Sequence, residues 1–345
     1  MGKNKAVPNV RQEVADVRIL LDGYFDHNFG DDLMLTLAAK SLKEYELYVP
    51  DRKINLENAD YTSQKTGFDA YLKVTGSGFQ IYNNLGIAYR MRDMHRETRR
   101  APMRAAVSCN ISPFINRAAR TAINMQLSSY DLITVRDSYS YEYIRQNVPN
   151  VRCGVYPDIV FSLPDSMIPD IKCENLLGVA VRAGADAQKI AAAIDGYTQK
   201  TGSGALLLCF DTGSENDAQA AERIKQNAKY ADKIEIITYE NITDMLANMR
   251  RCAVILGIRF HSIVLAARMG IPFVPFAYSD KTVNALTDLE FSGKIFRTDD
   301  FDAADVTQEL LTVKRFLLPE DTAGKAKLHM EKFKELLAAR MSQTS

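Results

Sequence analysis

Short apolar runs of strand length alternate with amphipathic helical stretches along almost the whole chain. This alternation predicts an α/β protein in which parallel strands are joined by right-handed helical crossovers. In the first half, the predicted strands cover residues 17–24, 45–49, 71–74, 103–107, 132–135 and 151–156. In the second half, they cover residues 176–181, 205–210, 234–238, 253–256 and 273–278.

The periodic pattern is interrupted over residues 163–173, where two prolines stand in a segment without amphipathic spacing. Pro and Gly are the usual markers of loops, so this segment is the predicted linker between two domains. The domains are residues 15–165 and 174–322, and two parallel sheets joined in this way leave a cleft at their carboxyl ends. Residues 323–345 predict a C-terminal amphipathic helix that packs back on the first domain or serves an oligomer contact.

Composition narrows the class of protein. The 345 residues include 43 basic and 43 acidic side chains, so no net positive charge favours binding to nucleic acid or to an anionic membrane. The basic residues between positions 90 and 104 are accompanied by Asp93 and Glu97, which predicts a solvated helix face. The five cysteines show no metal or disulfide spacing, and we find neither a signal peptide nor an apolar run of ~20 residues. A cytoplasmic protein without a transmembrane segment is expected.

The most informative motif lies between residues 255 and 281. An apolar strand ends at Gly257, Arg259 and His261 follow where a helix begins, and Gly270 ends that helix. A strand-to-helix turn in a parallel sheet places such residues at the carboxyl edge, beside the positive end of a helix. The motif predicts an anion site. The alternative is that Arg259 pairs with a carboxylate and His261 only packs.

Two further motifs follow predicted strands of the first half. In DGYFDHNFGDDL, a turn that contains Asn28 precedes Asp31 and Asp32 at the start of a helix. One aspartate is explained by helix capping, and the other is left for a ligand hydroxyl or for general-base work. The second motif holds Arg136 directly after a strand and Asp158 after another, which by themselves are ordinary turn residues. No Walker A, G-x-S-x-G or H-E-x-x-H motif occurs.

Taken together and in this order, the motifs resemble those of the polysaccharide pyruvyl transferase family. The resemblance is carried by N-F-G-D (residues 28–31), V-R-D-S (135–138), P-D (157–158), G-I-R-F-H-S (257–262), G-I-P (270–272) and a Tyr…Lys pair (278 and 281). It implies a GT-B-like fold with two Rossmann-like domains, the first on the acceptor side and the second on the donor side. It also implies transfer of a pyruvyl group from phosphoenolpyruvate onto two hydroxyls of a sugar, as a cyclic ketal, with release of phosphate.

The resemblance also assigns roles to residues. His261 is the expected general acid, and Asp31 is the leading candidate for the general base. The donor is expected to be bound by Arg136, Arg259, Phe260, Ser262 and Lys281. The acceptor, a glycan or lipid-linked sugar of cell-surface polysaccharide biosynthesis, is expected to contact Asn28, Asp32 and Tyr82. No metal and no cofactor is required, since arginines can neutralise the departing phosphate.

Two other functions remain open at this stage. A nucleotide-sugar glycosyltransferase would have the same architecture and would need an acidic residue in the second domain for ribose hydroxyls. A non-catalytic sugar- or anion-binding protein of this fold would bind ligand without releasing phosphate. The sequence names neither the acceptor sugar nor the oligomeric state, and an oligomer is compatible with it.

Overall fold

The computed structural model describes residues 17–81, 83–111 and 116–344, which form two parallel sheets. The strands of the first sheet are β1 (Arg18–Gly23), β2 (Glu46–Val49), β3 (Ala59–Tyr61), β4 (Ala70–Val74), β5 (Met103–Cys109), β6 (Leu132–Val135) and β7 (Arg152–Val155). Their order across the sheet is β3-β2-β1-β4-β5-β6-β7.

The second sheet is also parallel throughout. Its strands are β8 (Leu176–Val181), β9 (Ala205–Cys209), β10 (Ile234–Thr238), β11 (Cys252–Gly257), β12 (Phe273–Ala277) and β13 (Phe296–Arg297), in the order β10-β9-β8-β11-β12-β13. In each sheet the order reverses beside the first strand. Crevices at the carboxyl ends of strands next to such a reversal are where α/β proteins bind ligands.

Helices cover both faces of both sheets. Those of the first half are α1 (Phe29–Ser41), α2 (Asn84–Arg100), α3 (Arg117–Leu127) and α4 (Ser138–Asn147). Those of the second half are α5 (Ala187–Thr201), α6 (Asp217–Asn227), α7 (Ile242–Arg251), α8 (Phe260–Met269), α9 (Asp280–Asp288), α10 (Ala303–Thr312) and α11 (Thr322–Thr344). Among the described residues, no helix is long and apolar enough to span a bilayer.

The α/β fold predicted from the sequence is confirmed. Most predicted elements form within two residues or so of their expected ends, and strands β6, β8 and β10 have the predicted limits. Two short edge strands were not predicted. β3 forms in a polar stretch because Ala59 and its neighbours pair with β2, and β13 pairs with the end of β12. The domain limits 15–165 and 174–322 stay predictions.

The two halves share one apolar core. A single cluster of buried side chains runs from β1 and α1 to α8, α9 and α11. Phe29 at the start of α1 packs edge-on against Phe210 after β9, with 4.7 Å between ring centroids, and its backbone N–H donates to the Phe210 carbonyl at 2.9 Å. The C-terminal helix α11 lies against β5, β6 and the short helical turn Ile159–Ser162. The carboxyl edges of the two sheets are thereby held facing each other.

Candidate active site

A cleft of about 570 Å³ lies between the carboxyl edges of the two sheets. This volume is within the range of ordinary small-ligand sites. Its walls carry basic and acidic side chains from both halves of the chain. The charged residues from the first half include Asp31 and Arg136, and those from the second half include Arg182, Glu215, Arg259 and Lys281.

Arg136, directly after β6, is enclosed on every side. Its Nη1 donates to Asp158 Oδ2 at 2.5 Å, its Nε donates to the Asn110 side chain, and its Nη2 donates to the Gly76 carbonyl at 3.2 Å. The guanidinium also lies over the Phe260 ring at 4.0 Å. Burial alone would raise the pKa of Asp158, but the Arg136 charge outweighs it and the pKa is lowered. A buried ion pair therefore forms at the floor of the cleft.

His261 stands next to this ion pair, although it comes from the second half of the chain. Its Nε2 is 3.5 Å from Arg136 Nη1 and 3.8 Å from Asp158 Oδ2. Burial lowers the pKa of His261 to about 4, the Asp158 charge works against this shift, and Arg136 and Arg259 add to it. The imidazole is therefore neutral near pH 7. His261 therefore does more than pack in the core, because its ring nitrogen lies beside a buried ion pair.

The other face of the His261 ring rests on Gly30, in the first turn of α1. A Cβ atom at Gly30 would lie 1.9 Å from His261 Nδ1, a distance that no side chain could tolerate. Asp31 follows directly and lines the cleft. Burial raises the pKa of Asp31 to about 7, although the Arg136 charge opposes the shift. The sequence F-G-D thus brings a carboxyl group that titrates near neutrality to the histidine.

The neighbouring residues of this turn have separate tasks. Asn28 caps α1, because its side chain accepts hydrogen bonds from the backbone N–H groups of Gly30 and Asp31 at 3.1 and 3.4 Å. Its amide also donates to Asp211 Oδ2 at 3.1 Å. Asp32 turns away from the cleft and accepts a hydrogen bond from the Tyr239 hydroxyl at 2.9 Å. The expectation that an aspartate caps this helix is wrong, and the geometry gives Asp32 no contact with an acceptor in the cleft.

Arg259, after β11, is held by two acids of the second half. Its guanidinium makes two hydrogen bonds to Asp217, through Nε at 3.0 Å and through Nη2, and Nη1 lies 2.7 Å from Glu215 Oε2. Asp217 is fully buried, whereas the Glu215 side chain is 38% exposed. No side chain of the described chain caps the amino end of α8, which begins at the next residue. Arg259 and a positive helix terminus therefore face the cleft together.

Lys281 completes the cleft from α9. Its Nζ crosses to the first half of the chain and donates to Ser77 Oγ at 2.8 Å and to Gln80 Oε1 at 3.3 Å. Burial lowers the pKa of Lys281 to about 8, and Arg136 adds to the shift while Asp31 opposes it. The Lys281 side chain therefore lines the cleft, and its contact with a donor stays a prediction.

One expected donor contact differs in the structure, and one expected acceptor residue lies outside the described residues. The Ser262 hydroxyl is fully buried and donates to the Arg259 carbonyl at 2.6 Å, so it supports the turn and does not face a ligand. The Phe260 ring packs against the Arg136 guanidinium, and its backbone N–H lies in the uncapped first turn of α8, so a contact of this N–H with the donor stays a prediction. Tyr82 lies outside the described residues.

A family model described as polysaccharide pyruvyl transferase matches residues 28–280, well over half of the chain. The chain belongs to the polysaccharide pyruvyl transferase family. The matched segment runs from Asn28 to the first residue of α9 and contains the cleft residues described above except Lys281, which follows its last residue. The family is one of transferases. A comparison with curated protein sequences found no significant match.

Solved structures with the same architecture are distant in sequence. UDP-GlcNAc 2-epimerase from Methanocaldococcus jannaschii is 10% identical with a TM-score of 0.58, over 94% of this chain and 99% of that one. The enzyme of that name from Neisseria meningitidis, bound to UDP-GlcNAc, is 10% identical with a TM-score of 0.53 over the same shares. α,α-Trehalose 6-phosphate synthase from Burkholderia multivorans is 9% identical with a TM-score of 0.55, over 96% and 100%. They confirm the GT-B-like fold.

In this member of the pyruvyl transferase family, several residues in or beside the cleft belong to none of the motifs identified in the sequence. Arg182 directly follows β8, and its guanidinium lies 4.4 Å above the Tyr278 ring with Nη2 near Glu215 Oε1. Its position after a strand is the same signal that singled out Arg136 and Arg259. Asn110 directly follows β5 and shares this signal, whereas Asp217 begins a helix and does not. The role of each depends on an arginine that is distant in sequence. Among the described residues, no cluster of three His, Cys, Asp or Glu side chains is arranged to hold a metal.

Proposed function

We propose that the protein transfers the pyruvyl group of phosphoenolpyruvate to two hydroxyls of a glycan or lipid-linked sugar and forms a cyclic ketal. The observation that carries this proposal is the juxtaposition of Arg259, the uncapped amino end of α8 and His261 in one cleft. A compact ligand with a phosphate and a carboxylate suits these groups. Family membership supports the same reaction class.

The reaction requires one proton donor and one proton acceptor. A proton is added to the methylene carbon of the donor, which becomes a methyl group, and the adjacent carbon becomes electrophilic. The two sugar oxygens form two new bonds to that carbon, while its bond to the phosphate oxygen breaks. The two hydroxyl protons balance the methyl proton and the proton on the released phosphate. No electrons are gained or lost overall.

Arg259 is the best placed residue for the anionic donor. The partly exposed Glu215 carboxylate is the only partner of its Nη1 among the described residues, and a donor anion can take that place. The buried Asp217 keeps the other side of the guanidinium oriented. Lys281 and Arg182 supply further positive charge in the same wall. Arg136 contributes its charge, since its hydrogen bonds are taken up by Asp158, Asn110 and Gly76.

His261 and Asp31 are the proposed proton-transfer pair. The His261 imidazole is neutral in the free cleft, and the negative charge of a bound donor would raise its pKa so that it carries the proton for the methylene carbon. Asp31, with a pKa of about 7, is matched to accept a hydroxyl proton near neutral pH. If binding of phosphoenolpyruvate leaves the His261 titration unchanged in an NMR experiment, the proposed loading of this proton is wrong.

A direct test is product analysis with phosphoenolpyruvate and a panel of lipid-linked and free oligosaccharides. The proposal predicts equimolar phosphate release and an acceptor that gains one pyruvate less one water. His261→Gln serves as the matched inactive control, because glutamine is close in size and cannot become a cation. Turnover of a nucleotide sugar without phosphoenolpyruvate would instead identify a glycosyltransferase. Binding of ligand without any turnover on the panel would favour a binding protein.

The role of Asp31 gives a pH prediction with a definite sign. As a base, Asp31 must be ionised, so kcat/KM rises as the pH increases through about 7. Asp31→Asn should remove this limb together with most of the activity, which separates it from ionisation of the donor phosphate. A kcat/KM that falls as the pH increases through about 7 would show that Asp31 acts as the acid and that the two roles are exchanged.

A further inference from the structure

Helix α2, beside the cleft, presents a single exposed stripe to solvent. The exposed side chains recur every three or four residues, as one face of a helix requires, at Leu85, Tyr89, Arg92, Arg96 and Arg99. The stripe is apolar at its amino end, where Leu85 is 72% and Tyr89 55% exposed. Its carboxyl end consists of arginines. Exposed apolar side chains and basic side chains occur together on helices that lie on membrane surfaces, and the stripe has both.

The structure corrects the expectation that the acids of this helix neutralise its arginines. Glu97 points into the protein and is 4% exposed. Its carboxylate accepts hydrogen bonds from Lys73 Nζ at 2.6 Å, from Gln126 at 2.8 Å and from the Tyr130 hydroxyl at 2.9 Å. Burial would raise the pKa of Glu97, but the Lys73 ion pair outweighs burial and the pKa is lowered. The charge of Glu97 is therefore neutralised by Lys73 inside the protein and not by the arginines of the helix.

The remaining acid of α2 does little to neutralise the stripe. Asp93 approaches Arg92 at 3.9 Å, and both side chains are about half exposed, so the pair is weak. Arg96 and Arg99 make no ion pair with an acidic side chain in the described part of the chain. The adjacent helix α3 adds the exposed Arg117 and Arg120 and contains no acid. A locally cationic face thus exists on a chain whose overall charge is zero.

The apolar end of the stripe lies next to the opening of the cleft. Arg90, one residue after Tyr89, lines the cleft and donates to the Gln80 carbonyl at 2.8 Å. A surface that contacted Leu85 and Tyr89 would therefore also lie close to the place where an acceptor sugar enters. A nucleic acid would profit from the arginines but not from an exposed leucine, whereas a lipid surface uses both.

We infer that this face, the α2 stripe with the neighbouring arginines of α3, docks the protein on an anionic lipid surface. Leu85 and Tyr89 would enter the headgroup region and the arginines would contact lipid phosphates. The inference deepens the proposed function, on which its choice of a lipid-linked acceptor rests. Docking in this orientation would present the cleft to sugars attached to that surface. Free sugars could still enter the cleft and react.

Vesicle co-sedimentation tests the inference without any substrate. Vesicles of two parts phosphatidylcholine and one part phosphatidylglycerol are compared with vesicles of phosphatidylcholine alone at low salt. We expect binding to the anionic vesicles to exceed binding to the neutral ones by at least about tenfold, and to decline as salt is added. The combined substitution of Arg92→Glu, Arg96→Glu and Arg99→Glu should reduce binding by at least about tenfold.

The matched control changes net charge by the same amount on the second half of the chain. Its substitutions are Lys200→Glu, Arg223→Glu and Lys229→Glu, all at exposed positions without an ion pair in the described chain. This variant should lose less than about twofold, because screened charges far from the surface contribute little. Leu85→Ser with Tyr89→Ser should weaken vesicle binding, and Leu317→Ser, at another exposed leucine, should not. Glutamine at the three arginines provides a milder version should the reversals impair folding.

Equal binding to neutral and anionic vesicles, or equal losses in the stripe and control variants, would overturn the inference. A stronger effect of the stripe variant on binding of a single-stranded oligonucleotide than of vesicles would identify a nucleic-acid surface instead. Calorimetry with phosphoenolpyruvate on the same variants keeps the two proposals apart. Lipid binding without donor binding would refute the proposed function alone, and donor binding without lipid binding would refute docking alone.

Discussion

Two arginines occupy corresponding places at the carboxyl edges of the two sheets, yet the protein encloses them differently. Arg136 is locked to Asp158, whose side chain is almost fully buried. Arg259 is locked to Asp217 on one side only, and its other partner, Glu215, is partly exposed. The Glu215 oxygen that contacts Arg259 is covered, but the side chain as a whole is 38% exposed and can be displaced by a ligand more easily than a fully buried one. The difference separates a charge that shapes the site from a charge that is ready to bind.

The electrostatics of the two aspartates support this distinction. The pKa of Asp158 is lowered despite burial, so its negative charge is strongly held by Arg136. The pKa of Asp217 is raised by burial, which the Arg259 hydrogen bonds only partly offset. If either arginine is lost, burial is left to raise the pKa of its aspartate, so both carboxyl groups would tend to become neutral. The comparison predicts unequal consequences for equivalent substitutions.

The largest expected effect is on stability. Arg136→Met leaves three buried partners, Asp158, Asn110 and the Gly76 carbonyl, without their hydrogen-bond donor and should reduce the free energy of unfolding by about 3–5 kcal/mol. Arg259→Met should cost less, about 1–3 kcal/mol, because its side-chain partners are one buried carboxylate, Asp217, and the partly exposed Glu215. Urea unfolding at neutral pH measures both. As a control, Arg136→Met combined with Asp158→Asn should recover part of the loss, and losses of equal size at the two arginines would contradict the comparison.

A buried histidine next to the Arg136–Asp158 ion pair makes the stability of the protein depend on pH. His329 on α11 is fully buried, its Nε2 donates to the Pro157 carbonyl at 3.0 Å, and its Nδ1 accepts from the Thr134 hydroxyl at 2.7 Å. Burial lowers the pKa of His329 from 6.5 to about 4. The unfolded chain therefore binds the proton more readily, and the stability contributed by neutral His329 is lost as the pH falls from about 6.5 towards 4.

His329→Gln tests this contribution, since glutamine can keep the hydrogen bond to Pro157 but does not titrate. The loss of unfolding free energy between pH 7 and pH 4.5 should be smaller in the variant by up to about 3 kcal/mol. Urea unfolding of both proteins at several pH values measures the difference. An identical pH dependence in the two proteins would show that His329 titrates normally in the folded state.

A smaller effect is expected where Gly30 of the first half contacts His261 of the second half. Gly30→Ala should lower kcat by about 100-fold, because the added Cβ would displace the His261 ring. The same clash also involves His261 Cγ at 2.4 Å and Cβ at 2.8 Å, so the free energy of unfolding should fall as well, by about 1–3 kcal/mol, although alanine favours a helix over glycine by ~1 kcal/mol. Gly86→Ala is the matched control, since it also lies in the first turn of a helix and its nearest neighbour is a flexible isoleucine methyl at 3.1 Å. Normal activity of Gly30→Ala would exclude the observed packing.

The arrangement of strands was predictable because apolar runs and turn residues are local signals. The position of Arg259 and His261 at a sheet edge followed from the same signals, since a strand and a helix meet there. Gly270 behaves as expected too, with a positive φ of 67° at the end of α8. For Arg259 and His261, the position between a strand and a helix was therefore sufficient to place them at the cleft.

The partners of these residues were not predictable. Asp31 and Asp32 are neighbours of the same type, and only the packing of α1 against the second half decides that one faces the cleft and the other Tyr239. Glu97 could have neutralised its own helix, but Lys73 on β4 draws it inward. Ser262 follows His261 and yet bonds to the backbone behind it. Such choices depend on tertiary contacts that no local pattern contains.

Binding of phosphoenolpyruvate by Arg259 is the step on which the proposed reaction depends. It can be tested by titration calorimetry with phosphoenolpyruvate and UDP-GlcNAc on the native protein, Arg259→Lys and Glu215→Gln. We expect saturable binding of phosphoenolpyruvate that Arg259→Lys weakens about tenfold to a hundredfold, because lysine keeps the charge and loses the fork of donors. Glu215→Gln should leave binding unchanged or tighten it. Binding of UDP-GlcNAc with none of phosphoenolpyruvate, or equal affinity in Arg259→Lys, would show that Arg259 does not bind this donor.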